Sequence, residues 1–131
     1  FGARIVRLEG VDRALYHAAA VFVSNDVVAL LAAAARPWQL AGLPAAAARP
    51  ALAPLMVGAA QNVAAAELVG ALTGPIARGD IATVERHLVA LGQAPELRAL
   101  YSALARELVA LPLGHTAEMQ ARLRALLGAE D

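Results

Sequence analysis

Apolar residues fill most of the chain, and their spacing is helical except in one short segment near the start. ARIVRLEG, residues 3–10, alternates apolar and charged positions and stops at glycine, as a short strand does. A long apolar stretch follows, with Asp12 as its predicted N-cap and Arg36 as its end, because proline pushes the preceding residue out of the helical region. The pattern predicts one strand and then a long helix.

Capping residues and breakers predict the remaining helices. After the connector PWQLAGLPAAAARP, which holds a short helix at most, a second long helix begins near Pro50, tolerates Pro54 in its first turn and reaches about Leu72. Three shorter helices follow, each opened by a capping residue or a proline: 81–91 after Asp80, 96–111 after Pro95 and 117–127 after Thr116. The sequence therefore predicts an all-α domain of about five helices.

The single strand raises a question about the domain's surroundings. A lone strand cannot satisfy its own backbone hydrogen bonds. Either its sheet lies outside this chain, or residues 3–10 are not a strand.

Hydropathy is high for a small domain, at 60% apolar residues and a mean hydropathy of +0.57. Three explanations compete: a membrane span, the alanine bias of a GC-rich genome, and a face covered by a partner. The most apolar window, residues 14–35, contains His17, Ser24, Asn25 and Asp26, and a central aspartate costs about 2.5–3.5 kcal/mol on insertion. We expect alanine bias together with a partner surface, and no membrane.

Charge and composition exclude several functions. The net charge is zero, so no basic field attracts nucleic acid. The chain has no cysteine, and all 11 of its cationic residues are arginine, which excludes a thiolate or a Schiff-base lysine. It also lacks the glycine-rich phosphate-binding motifs, and its three histidines are scattered, so we expect no metal site and no dinucleotide phosphate cradle.

The first candidate chemistry lies in YHAAAVFVSN, residues 16–25. On a continuous helix, Ser24 lies about 20° and Asn25 about 80° round the axis from His17, so the three would share one flank. Histidine can transfer protons near neutral pH, and asparagine can orient a substrate oxygen. The competing interpretation is that each is a buried polar group satisfied by a neighbouring helix or water.

The second candidate is the loop ALTGPIARGD, residues 71–80. Its glycines and proline are explained by a helix end and a turn, and Asp80 by an N-cap. Arg78 is left over, and an arginine fixed on a loop is a ready partner for an anion or carbonyl. His87 follows Asp80 by two helical turns and could face the same cleft, or solvent. His115 is predicted to lie in a loop without function.

Four segments together carry a resemblance: YHAAAVFVSNDVVALL, PLMVGAAQN, GALTGPIARGD and TVERHLVAL. They resemble the C-terminal domain of the Rossmann-like proteins that contain domain of unknown function 2520. The resemblance implies a preceding dinucleotide-binding domain and an oxidoreductase of unknown substrate. It also implies that residues 1–10 are the last strand and linker of that Rossmann domain, and residues 11–131 the helical C-terminal domain.

A more distant similarity is to the 6-phosphogluconate dehydrogenase C-terminal-like helical domains, which include ketopantoate reductases. Those enzymes carry a helix reading Lys-x3-Asn-x3-Asn-x-Leu-Thr-Ala-Leu, with the lysine as general acid. Aligned with NDVVALL, the pattern places Asn25 on the second asparagine and His17 on the lysine, while Val21 replaces the first asparagine. A histidine could still protonate an oxygen during hydride transfer.

These points predict the substrate-side and dimerisation domain of an NAD(P)-dependent oxidoreductase, cytoplasmic and homodimeric, acting on a small molecule. NAD(P) would bind mainly to the N-terminal domain, so this chain alone would be inactive. The predicted catalytic residues are His17 and Asn25. The predicted substrate-binding residues are Tyr16, Ser24, Thr73, Arg78, Asp80 and His87. The rival hypothesis is a purely structural dimerisation domain, in which His17 and Asn25 are hydrogen-bond partners at the dimer interface.

Overall fold

The computed structural model describes residues 10–128, and all regular structure in that range is helical, which confirms the all-α prediction. The predicted strand lies outside the described residues apart from Gly10. The α-helices are α1 (Arg13–Phe22), α2 (Asn25–Leu40), α3 (Ala45–Ala65), α4 (Leu68–Ala71), α5 (Pro75–Arg78), α6 (Ile81–Ala90), α7 (Pro95–Val109) and α8 (Ala117–Leu126). A 3-10 turn, Leu91–Gln93, follows α6.

Three predicted N-caps are confirmed by hydrogen bonds from the first helical turn. The Asp12 carboxylate accepts from the N–H groups of Ala14 and Leu15, at 2.9 and 3.2 Å. Asp80 accepts from the N–H of Thr83 at 3.0 Å, and Thr116 Oγ1 from the N–H of Met119 at 3.2 Å. Each bond satisfies a donor that the helix itself leaves unpaired.

The long first helix is interrupted, because Ser24 competes for its backbone. The Ser24 hydroxyl donates to the carbonyl of Ala20 at 2.6 Å, and the Ser24 N–H bonds to Val21 O at 3.2 Å instead. Such back-bonding by serine bends helices. The helix therefore breaks at residues 23–24, and the assumption that His17, Ser24 and Asn25 share the flank of one continuous helix was wrong.

Three predicted helix boundaries were wrong: α3 ends at Ala65 rather than near Leu72, and the other two were misplaced because proline was given too much weight. Pro37 lies inside α2, which continues to Leu40, and Pro50 lies inside α3, which begins at Ala45. Pro37 lies in the last turn, where the Trp38 indole donates to the Pro44 carbonyl at 3.0 Å. The run of alanines from residue 45 has the highest helix propensity, so the connector shrinks to 41–44.

The chain divides into two compact units, residues 1–49 and 50–131, with the division inside α3. The second unit contains a hydrophobic core built at helical spacing by α5–α8. Its buried members are Ile76, Val84, Leu88, Ala105, Val109, Leu123 and Leu127. The Arg106 guanidinium joins α7 to the end of α8 by donating to Leu127 O at 2.9 Å.

The described part of the first unit has almost no core, since Ala48 is its only buried residue. Phe22 and Val23 are 69% and 77% exposed. Taken through the break, the 28-residue segment Arg13–Leu40 contains an 18-residue window with a mean hydropathy of 1.9, and none of that window is buried. By length and composition this segment could cross a membrane. The same apolar surface could instead be covered by a protein partner.

Two valines on α6 test the position of the core. Val84 is fully buried and Val89 is 80% exposed. Val84→Ala is expected to lower the free energy of unfolding by about 2 kcal/mol, because it removes two buried methyl groups and leaves a cavity. Val89→Ala, the matched control, is expected to change it by less than about 0.5 kcal/mol. Urea denaturation followed by circular dichroism measures both, and equal effects would contradict this packing.

Candidate functional site

A partly open cavity of about 220 Å³ in the second unit brings together two predicted site residues and one new one. Thr73 from the α4–α5 loop and His87 from α6 line it together with Tyr101 from α7. The rest of its wall is apolar: Pro75, Ile76, Leu104, Ala105 and Leu108. A mostly apolar pocket with a few polar groups is typical of small-molecule sites.

His87 and Tyr101 form a hydrogen-bonded pair at this cavity. His87 Nδ1 lies 3.0 Å from the Tyr101 hydroxyl, and the rings meet edge to face with centroids 5.7 Å apart. Either the phenol donates to Nδ1, or a protonated Nδ1 donates to the phenol oxygen. Burial raises the pKa of Tyr101 above its ordinary value of 10.0, so the phenol keeps its proton at neutral pH and acts as a neutral donor.

A larger apolar hollow of about 600 Å³ adjoins this cavity, because Thr73 and Leu108 line both. It lies between the second half of α3, α4 and the end of α7, and Asn62 and Thr73 are its polar lining residues. Together the two hollows give one apolar surface with polar groups at separate points.

The short helix α5, which carries Pro75 and Ile76 to the cavity wall, is closed at its C-terminus by glycine. Gly79 has φ of +65°, and the N–H groups of Gly79 and Asp80 bond to Ile76 O and Pro75 O at 3.1 and 2.9 Å. A Cβ at Gly79 would lie 3.3 Å from the Met119 side chain of α8. The positive φ therefore favours glycine here, and a larger residue would also require the Met119 side chain to shift by a few tenths of an ångström.

His115 has a structural contact that the sequence did not reveal. Its predicted loop position is confirmed, and its Nε2 lies 2.7 Å from the carbonyl oxygen of the buried Ile76. Since a carbonyl only accepts, Nε2 carries the proton. This bond ties the loop before α8 to α5, behind the cavity wall.

Asp80 and Arg78 do not line the cavity. Hydrogen bonds from the Thr83 hydroxyl and N–H hold the pKa of Asp80 below its ordinary value of 3.8, against a smaller effect of desolvation, and the charges of Arg86 and Arg78 lower it further. Thr83 Oγ1 donates to Asp80 at 2.7 Å and accepts from Arg86 at 2.6 Å. The contacts of Asp80 are those of a helix cap, and Arg78 is exposed.

The other predicted residues belong to the first unit and are exposed within this chain: Tyr16, His17, Ser24 and Asn25. The Ser24 hydroxyl donates to the Ala20 carbonyl oxygen and lies 3.1 Å from Asn25 Oδ1. The His17 side chain forms no hydrogen bond with any residue in the range 10–128. The competing interpretation, in which a neighbouring helix or water satisfies each of them as a buried polar group, requires a partner that covers this surface and stays a prediction. That these four residues form one site with residues of the second unit stays a prediction.

A metal site and a dinucleotide site each require particular groups: converging ligand side chains for the metal, and cationic or N–H groups for the diphosphate. Within residues 10–128, no three His, Asp or Glu side chains converge as a metal site needs. Neither apolar hollow is lined by an arginine, so these hollows do not fit the diphosphate of a dinucleotide, which is held by cationic groups or backbone N–H groups.

The Asp80 cap predicts a pH dependence of stability. Because its pKa is lower in the folded than in the unfolded chain, the carboxylate stabilises the fold fully above pH 3.8, and this contribution is lost as the pH falls below that value. Asp80→Asn keeps a good N-cap but cannot titrate. Urea unfolding between pH 2 and 7 should show a weaker loss of stability in acid for the asparagine variant, and identical profiles would contradict the assignment.

Comparison with known proteins gives one family. The description "Domain of unknown function (DUF2520)" matches residues 1–108, which include the cavity-lining Thr73, His87 and Tyr101. Neither the curated proteins nor the solved structures that were compared with the chain gave a match. Since the family's pattern covers most of the chain, this protein belongs to the DUF2520 family.

Proposed function

We propose that this chain is the substrate-side and dimerisation domain of an NAD(P)-dependent oxidoreductase that acts on a small carbonyl or imine compound. The observation that carries the proposal is the cavity in which Thr73 and His87, both expected from the sequence to bind substrate, meet Tyr101 against an apolar wall. The distant similarity to ketopantoate reductases is compatible with this assignment.

The cavity's own chemistry suits binding and orientation. Its wall excludes water from an apolar substrate body, and the neutral Tyr101 phenol can donate to a substrate oxygen or nitrogen. Proton transfer during reduction is assigned to His17 and orientation of the reacting group to Asn25, as the similarity implies. Both side chains are exposed within this chain and so are accessible to a substrate.

The proposal assigns the nicotinamide cofactor to an N-terminal Rossmann domain. The cofactor would supply the hydride, while the two adjoining apolar hollows at Thr73 are lined by no arginine that could hold its diphosphate. In this proposal the protein is cytoplasmic.

Dimerisation is proposed for the apolar surface of α1 and α2. Leu15, Phe22 and Val28 are each about 70% exposed, so the surface needs cover, and two-fold pairing of identical surfaces is the commonest solution. A second copy suits this surface better than lipid, because it can also satisfy the carboxylate of Asp26. This exposed surface also supports a second candidate function, a dimerisation domain without catalysis.

The first test is calorimetric titration of NADH and NADPH into this chain and into a protein that carries it behind a dinucleotide-binding domain. Binding by the two-domain protein alone is expected, and no binding by either would overturn the oxidoreductase proposal. In the two-domain protein, His17→Gln is expected to reduce turnover by 10²-fold or more with an unchanged sedimentation coefficient. A lower dimer stability with turnover retained would favour the purely structural candidate.

The dimer predicts the effect of a charge on the apolar surface. Phe22→Glu is expected to convert the dimer to a monomer in sedimentation velocity, because an unpaired carboxylate cannot be buried without a large cost. Gln39→Glu adds the same charge at an exposed polar position of α2 and is expected to leave the dimer intact. A monomeric parent chain, or one that sediments only with lipid vesicles, would overturn the dimer.

A further inference from the structure

The cavity of the second unit is small enough to limit its ligand. At about 30 Å³ for each water-sized group in a liquid, its volume of about 220 Å³ holds about seven non-hydrogen atoms. A single ring or a short branched chain fills it, and a nucleotide does not fit.

The wall of the cavity excludes a charged ligand. Ile76, Leu104, Ala105 and Leu108 supply its apolar surface, and no arginine or carboxylate lines it. An ionised carboxylate or ammonium placed against this apolar wall would lose its hydration there without gaining an oppositely charged partner from the wall. The ligand that suits this wall is uncharged.

The polar end of the cavity supplies hydrogen-bond donors. When Nδ1 of His87 is protonated, it donates to the phenol oxygen 3.0 Å away, and this leaves the Tyr101 O–H free to donate to a ligand. In the other tautomer the phenol donates to His87 and has no proton left for the ligand. The exposed Thr73 hydroxyl forms no hydrogen bond with another described residue and is a second donor.

We propose that this cavity binds a compact, uncharged aliphatic carbonyl compound, whose oxygen accepts a hydrogen bond from Tyr101 while His87 positions the phenol. A carbonyl oxygen suits this end because it only accepts, and it has two lone pairs for the two hydroxyl groups. The inference rests on the proposed function for the ligand's role as substrate, but the binding itself requires neither cofactor nor turnover.

Cyclohexanone, which has seven non-hydrogen atoms, is the probe, and methylenecyclohexane has nearly the same shape without the acceptor. Both are titrated into the chain while the methyl signals of Ile76 and Leu104 are followed by NMR. Tyr101→Phe is expected to weaken cyclohexanone binding about five-fold and to leave methylenecyclohexane binding unchanged, because only the ketone loses a hydrogen bond. Val89→Ala, on the exposed side of α6, is the control and is expected to change neither.

The positioning role of His87 has its own readout. Addition of cyclohexanone is expected to move the ¹⁵N shifts of the His87 ring towards the tautomer protonated at Nδ1, in the parent chain but not in Tyr101→Phe. Leu104→Trp, which fills the cavity without altering the polar pair, is expected to abolish binding of both compounds. The ¹⁵N shifts of the parent chain and the binding by Leu104→Trp can both be measured even if Tyr101→Phe does not fold.

Three results would overturn the inference: no change in the cavity methyl signals up to the solubility limit of cyclohexanone, equal weakening of both compounds by Tyr101→Phe, or tighter binding of cyclohexanecarboxylate than of cyclohexanone. The proposed function can fail independently of this inference. Ketone binding that depends on Tyr101 in a protein that binds no nicotinamide cofactor supports the cavity and removes the oxidoreductase assignment. Cofactor binding without ketone binding does the reverse.

Discussion

The burial of a few aliphatic side chains between α6, α7 and α8 determines the geometry of the second unit. Val84, Val109 and Leu123 are almost completely removed from water, and their packing fixes α6 against α7. His87 follows Val84 by one turn, and Tyr101 precedes Ala105 by one turn. The 3.0 Å contact between the imidazole and the phenol therefore depends on the packing of this apolar core.

The α5 turn places the other wall of the cavity, and two contacts of different kinds hold it. Gly79 allows the close approach of Met119, and His115 donates to the carbonyl of Ile76. The loop 73–80 thus has mainly structural contacts: Asp80 caps α6, Gly79 ends α5, and the apolar residues between them line the cavity. Among the residues of this segment that line the cavity, Thr73 has a side-chain hydroxyl free for a ligand.

The two units differ in how far they bury their apolar side chains. Helices α5–α8 of the second unit bury an aliphatic core, whereas α1 and α2 leave large apolar side chains such as Phe22 and Val28 in solvent, as α3 does for Leu55 and Val63. Apolar surface of this extent is stabilised only when something covers it. The high mean hydropathy of the chain is therefore concentrated in an outward-facing surface rather than in a larger core.

The sequence by itself determined the helical class, the three N-caps and the order of the helices, because capping and helical periodicity are local properties. It misjudged Pro37 and Pro50, since alanine-rich flanks and contacts such as that of Trp38 override a local breaker. It also selected Thr73 and His87, which line the cavity of the second unit. It could not identify Tyr101, 14 residues after His87 on another helix, or the contact of His115 with Ile76. Only the tertiary structure decided these pairs, because they depend on how helices distant in sequence pack on a shared core.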